Sequence, residues 1–225
     1  MCNFDLQSTL SMTTEQQHLE TLSDIKRIME RSSRFMSLSG LSGVFAGVSA
    51  LAGAAGALAL FHAYYQRWEI RGHYDDADFV QLRLNLILLG LAVMCMAFFG
   101  GLYFTWRKAK RSNLPVFDVT SRKVMVNALI PMIAGGAFIV GLMYNNLDVL
   151  IAPSCLIFYG MALLNASKYT LTDIRYLGIS EITLGILNVF FLRRGLYFWA
   201  IGFGFMHIFY GILMWWKYER QTTEE

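Results

Sequence analysis

The chain has 225 residues, of which 56% are hydrophobic and 16% charged, with a formal net charge of +3. Apolar residues gathered into long blocks exclude an ordinary soluble domain, and so small a positive charge, carried in short loops, excludes direct nucleic-acid binding. Cys2 lies in a polar lead, and Cys95 and Cys155 inside apolar blocks, which excludes a disulfide framework.

Residues 1–36 are polar, and neither a secretory signal pattern nor a lipoprotein site at Cys2 is apparent. Over 13–35, Leu19, Leu22, Ile25, Ile28 and Met29 recur at helical spacing among charges. Thr13 with Gln16, or Thr14 with Gln17, offers a capping box. The pattern predicts a cytoplasmic amphipathic helix, lying on the membrane surface or extending the first membrane helix. A transmembrane domain over 37–216 follows. Its first block, 37–63, has no charge, and small residues recur every four positions at Ser39, Gly43 and Gly47, and at Ser42, Ala46, Ala50 and Ala54. That spacing brings membrane helices backbone to backbone. A polar loop is expected over 65–81, then blocks at 82–106 and 124–144, the latter interrupted by Pro131. Asn145-Asn146 turns the chain into 148–166. Thr170 and Asp173 suggest a capping box for 174–192, and Arg193-Arg194-Gly195 leads to 196–216. Residues 217–225 form a short tail. The fold expected is an all-α polytopic bundle of six transmembrane helices.

Of the 19 Lys and Arg, 14 fall on the side shared by both termini, in the N-terminal segment, over 107–123, at Lys168 and Arg175, and after 216. By the positive-inside rule both termini are cytoplasmic. An internal repeat is visible. Ile157-Phe-Tyr-Gly160 matches Ile208-Phe-Tyr-Gly211, Phe99-Gly100-Gly101 resembles both, and Gly40/Gly47 match Gly178/Gly185 in spacing. Three repeated helical hairpins would account for this.

Glu181 is an ionisable residue inside the fifth block, where such a group is costly and faces the bundle interior. His207 lies near the same depth in the sixth. A Glu181–His207 pair joined by Ser180 or Asn188 is expected either to clamp the last hairpin or to serve as a proton relay or ligand-binding core. Gly40-Leu41-Ser42-Gly43 with His207 resembles the rhomboid intramembrane proteases, but the serine sits in the first block and no oxyanion site accompanies it. His73, Asp75, Asp76 and Asp78 read as a solvated acidic loop, not as a cation site. A lone mid-membrane histidine disfavours haem. No metal or cofactor is implied. At the cytoplasmic face, Asp118, Arg122, Lys123, Asn165, Lys168, Asp173 and Arg175 form a candidate partner site.

The stretches 29–47, 117–138, LIFYGMALLNASKYTLTDIRYLGISEITLG over 156–185, and 199–219 resemble uncharacterised bacterial six-helix integral membrane proteins. The resemblance implies a multi-pass protein of the bacterial inner membrane. It implies no catalytic residues, and as family context it brings a winged-helix transcriptional regulator as a possible cytosolic partner. The function expected is a non-enzymatic sensory, regulatory or scaffolding one, with the bilayer as environment and homo-oligomers allowed. The alternatives are a small-molecule or proton-coupled transporter using Glu181 and His207 and, more remotely, an intramembrane serine hydrolase.

Overall fold

The computed structural model describes residues 39–73, 76–111 and 118–219. These are all-α, with short 3-10 turns between helices. The helices are α1 (Gly40–Arg71), α2 (Asp76–Arg111), α3 (Val119–Tyr144), α4 (Ile151–Ala166) and α5 (Thr172–Phe190). A sixth, α6, runs over 195–218 in three segments: α-helical Gly195–Trp199, π-helical Ala200–Met206 and α-helical His207–Tyr218. The amphipathic helix expected over 13–35 lies outside the described residues, as do residues 220–225.

Among the described residues, five stretches are long and apolar enough to cross a membrane: Gly40–Arg71, Asp76–Arg111, Val119–Tyr144, Asp148–Tyr169 and Leu192–Tyr218. The fifth predicted block differs. Its helix, α5, has 19 residues and carries Asp173, Arg175 and Glu181. The first two fall within its opening turn, so 176–190 retains Glu181 as its single charge. Large apolar side chains on α2 and α3 face outward, among them Leu88 (56% exposed), Phe99 (65%) and Ile133 (68%). Water does not tolerate so continuous an apolar surface, whereas hydrocarbon does.

Several helices outrun their apolar blocks. The loop expected over 65–81 is mostly helix: α1 continues to Arg71, stops at Gly72 in the left-handed region (φ 72°), and α2 begins at Asp76. Hydropathy marks where a chain meets headgroups, whereas a helix ends where its hydrogen-bond ladder does. The expected Thr170–Asp173 capping box is also corrected. The N-cap of α5 is Leu171, one residue later, with no side-chain cap. Asp173 instead pairs with α6, as described below. At α3 the box is real: Ser121 N–H donates to Asp118 Oδ1 at 2.6 Å, and Asp118 N–H to Ser121 Oγ at 2.9 Å.

α1 packs against α2 on one side and α6 on the other, α4 lies between α3 and α5, and α5 meets α6. Two of these contacts are glycine crossings with matching geometry. In the α1–α6 crossing, a Cβ on Gly40 would meet the Gly211 carbonyl and Trp215 nitrogen, and one on Gly47 the Gly204 carbonyl and Ile208. In the α5–α4 crossing, a Cβ on Gly178 would meet the Gly160 carbonyl and Leu164 nitrogen, and one on Gly185 the Pro153 carbonyl and Ile157. Each glycine thus meets its counterpart's partners at the same spacing. The second block does not follow suit: Gly100 abuts the Phe45 ring of α1, and Gly101 faces open space.

Candidate functional site

Glu181 on α5 is fully buried (0% exposed), and the π segment of α6 lies across it. The approach depends on Gly202, where a Cβ would run into Glu181 Oε2 and Leu156 Cδ2. Glu181 Oε1 lies 3.4 Å from His207 Nδ1. This is a close approach without hydrogen-bond geometry, because Nδ1 points at the Gly202 carbonyl, 3.0 Å away. That carbonyl can only accept, so Nδ1 bears a hydrogen, and in the neutral imidazole Nε2 accepts from the Tyr159 hydroxyl at 2.8 Å. The Tyr159 and Phe203 rings pack against the imidazole, with their own centroids 5.1 Å apart, and Trp199 packs on the Phe203 ring behind it. The π turn widens the helix just before His207 and lets its side chain reach back five residues to Gly202.

Tyr159 and Gly202 were not anticipated, and the two expected bridging residues stand elsewhere. Ser180 donates to the Tyr176 carbonyl of its own helix at 3.0 Å. Asn188, although fully buried, donates to the Phe191 carbonyl at 3.2 Å and closes the far end of α5. Neither touches the Glu181–His207 contact. Ser42 is likewise occupied: its hydroxyl donates to the Ser39 carbonyl at 2.5 Å, and both ring nitrogens of His207 have other partners. The nucleophile–base bond of a serine hydrolase is not made.

The candidate partner site divides in two. Its carboxylates are engaged within the fold. Asp118 caps α3, and Asp173 lies 3.2 Å from Lys217 Nζ and accepts from the Tyr218 hydroxyl at 2.7 Å. Glu219, beyond the end of α6, accepts from the Gly40 N–H at 2.6 Å and the Ser39 hydroxyl at 3.3 Å, with Lys108 Nζ 3.4 Å away. A carboxylate from the end of the bundle thus caps its first helix. The basic residues Arg122, Lys123, Lys168 and Arg175 are exposed, with Lys123 Nζ 5.9 Å from the Tyr169 ring. Asn165 is half-buried on the last turn of α4.

At the opposite end, Arg83 lies 3.1 Å from Asp148 and donates to Asn146 and to the Met143 carbonyl. Asp78, expected in an acidic loop but placed in the first turn of α2, lies 2.6 Å from Arg71 and 3.4 Å from Arg67. Among the described residues no three His, Cys, Asp or Glu side chains are grouped to hold a metal. No protein-family model, curated protein or solved structure matches the chain.

Proposed function

We propose that this is a non-enzymatic, six-crossing membrane protein of sensory, regulatory or scaffolding role, whose basic end faces the cytosol and docks an acidic protein surface. The observation that carries the reading is the division of charge at that end. Asp118 is engaged in capping α3, and Asp173 and Glu219 in joining helices, while Arg122 and Lys123 on α3, Lys168 on the turn after α4 and Arg175 on α5 stand exposed. Charge complementarity then selects an acidic partner. The resemblance to bacterial six-helix proteins supports an inner-membrane location with cytoplasmic termini, and its context suggests a winged-helix regulator as the partner. The matched glycine crossings support two copies of one ancestral helix pair.

The test is charge reversal. R122E with K168E, in full-length protein extracted in mild detergent, is expected to abolish co-purification of a cytosolic protein that the wild type retains. Recovery of the same partner by both forms ends the reading.

A second reading, proton-coupled transport through Glu181 and His207, rests on their 3.4 Å contact. The complete burial of Glu181 beside Gly202 favours a helix contact over an open passage.

A further inference from the structure

We propose that Glu181, His207 and Tyr159 form a proton-binding centre that latches the two glycine crossings to each other, with the proton as its ligand. The latch needs no cytosolic partner, so it stands or falls apart from the basic-face reading.

Its position is the first support. Glu181 belongs to the α4–α5 crossing and His207 to the α1–α6 crossing, so their contact spans the seam between the two. Within each crossing, glycines bring backbone against backbone. The seam is layered instead. Near the basic end Leu171, Ile174 and Met214 pack together, beside the contacts of Asp173 with Lys217 and Tyr218. Deeper in lie Glu181, His207 and Tyr159.

The second support is what each group lacks or holds. Both carboxyl oxygens of Glu181 are buried without a hydrogen-bond partner, an arrangement that itself calls for a ligand. The imidazole is held at both nitrogens, by Gly202 and Tyr159, which fixes its edge beside Oε1. An exchangeable proton can sit on the carboxyl beside a neutral imidazole, or on the imidazole Nε2, whose N–H then donates to the Tyr159 oxygen and leaves a carboxylate–imidazolium ion pair. Both forms are net neutral. A further proton leaves a carboxylic acid beside an imidazolium, net positive. Loss of the proton leaves a carboxylate beside a neutral imidazole, net negative. Either is an uncompensated charge in a buried helix contact, which is strongly unfavourable.

The surrounding elements offer nothing to offset such a charge. α4 contributes the Tyr159 phenol and, one turn earlier, the Cys155 thiol, neither of them a cation, and α1 has no ionisable residue between Gly40 and Ala57. On α5 the other ionisable residues, Asp173, Arg175 and Tyr176, lie in the first turns. On α6 the nearest are Tyr197, ten residues before His207, and Tyr210 and Lys217 towards its end. The seam is therefore tightest when it holds one exchangeable proton, and loosens when that proton is lost or a second is gained.

The test uses full-length protein in detergent, with melting temperature followed against pH. The wild type is expected to lose stability in both directions from an intermediate optimum. E181Q is expected to lose the alkaline limb, because no carboxylate can form, and H207Q the acidic limb, because no imidazolium can form. If both variants follow the wild-type profile, the latch is overturned. Should either variant fail to fold, the wild type alone answers. Dicyclohexylcarbodiimide adds to protonated carboxyls in apolar surroundings, and mass spectrometry is expected to find its adduct on Glu181, with a yield that falls as pH rises. A yield that ignores pH, or no adduct on Glu181 at any pH, overturns the proposal.

Discussion

At Gly202 a single methyl group separates a working contact from a collision. Gly202→Ala places a Cβ against Glu181 Oε2 and Leu156 Cδ2 and is expected to lower stability by about 1–3 kcal/mol, the usual range for overpacking. Gly101→Ala, facing open space, is expected to stay within about 0.5 kcal/mol of the wild type. Thermal unfolding in detergent reads both. The sequence made Glu181 conspicuous, since a carboxylate inside an apolar block has few explanations. It did not disclose Tyr159, because a tyrosine in a membrane helix is ordinary and its hydroxyl finds a partner only through the tertiary fold. Gly202 was equally silent: the π turn that aims its carbonyl at His207 leaves no mark in a pattern read at 3.6 residues per turn. Ser180 misled by adjacency. Consecutive helical residues point about 100° apart, so the neighbour of a buried glutamate faces its own backbone.

Among the elements, the two crossings invite a paired experiment. Gly47→Ala and Gly185→Ala each set a Cβ against a carbonyl oxygen and an isoleucine of the facing helix, Ile208 or Ile157. Each is expected to cost about 1–3 kcal/mol, as overpacking does, and as separate sites their losses are expected to add in the double variant within about 0.5 kcal/mol. A large departure from additivity in thermal unfolding would mean that the crossings are not separate. Asp118→Ala removes a capping box and is expected to cost about 1 kcal/mol, visible as fraying of the first turn of α3 by hydrogen exchange. Among the described residues, the six apolar helices and their order were legible because hydropathy acts over twenty residues at a time. Their ends were less so, since Arg71, Asp76 and Arg111 are polar yet keep the helical ladder. The Thr170–Asp173 box looked sound locally, but Asp173 satisfies its oxygens on Lys217 and Tyr218, a contact 44 residues away that no local motif encodes.

Across the whole molecule, contacts at both ends hold separate parts of the chain in place. Arg83→Ala removes the group that α2 extends to Asp148, Asn146 and Met143, and leaves Asp148 short of a counter-charge. It is expected to lower the melting temperature and to expose the connection between α3 and α4 to protease. At the basic end the cap on α1 carries a different consequence, one of timing. Gly40 N–H and its Glu219 acceptor are separated by 179 positions, which at synthesis rates of about 5–20 residues per second is roughly 10–40 s of translation. The cap that Glu219 supplies to α1 is therefore made only after the rest of the described bundle has been synthesised.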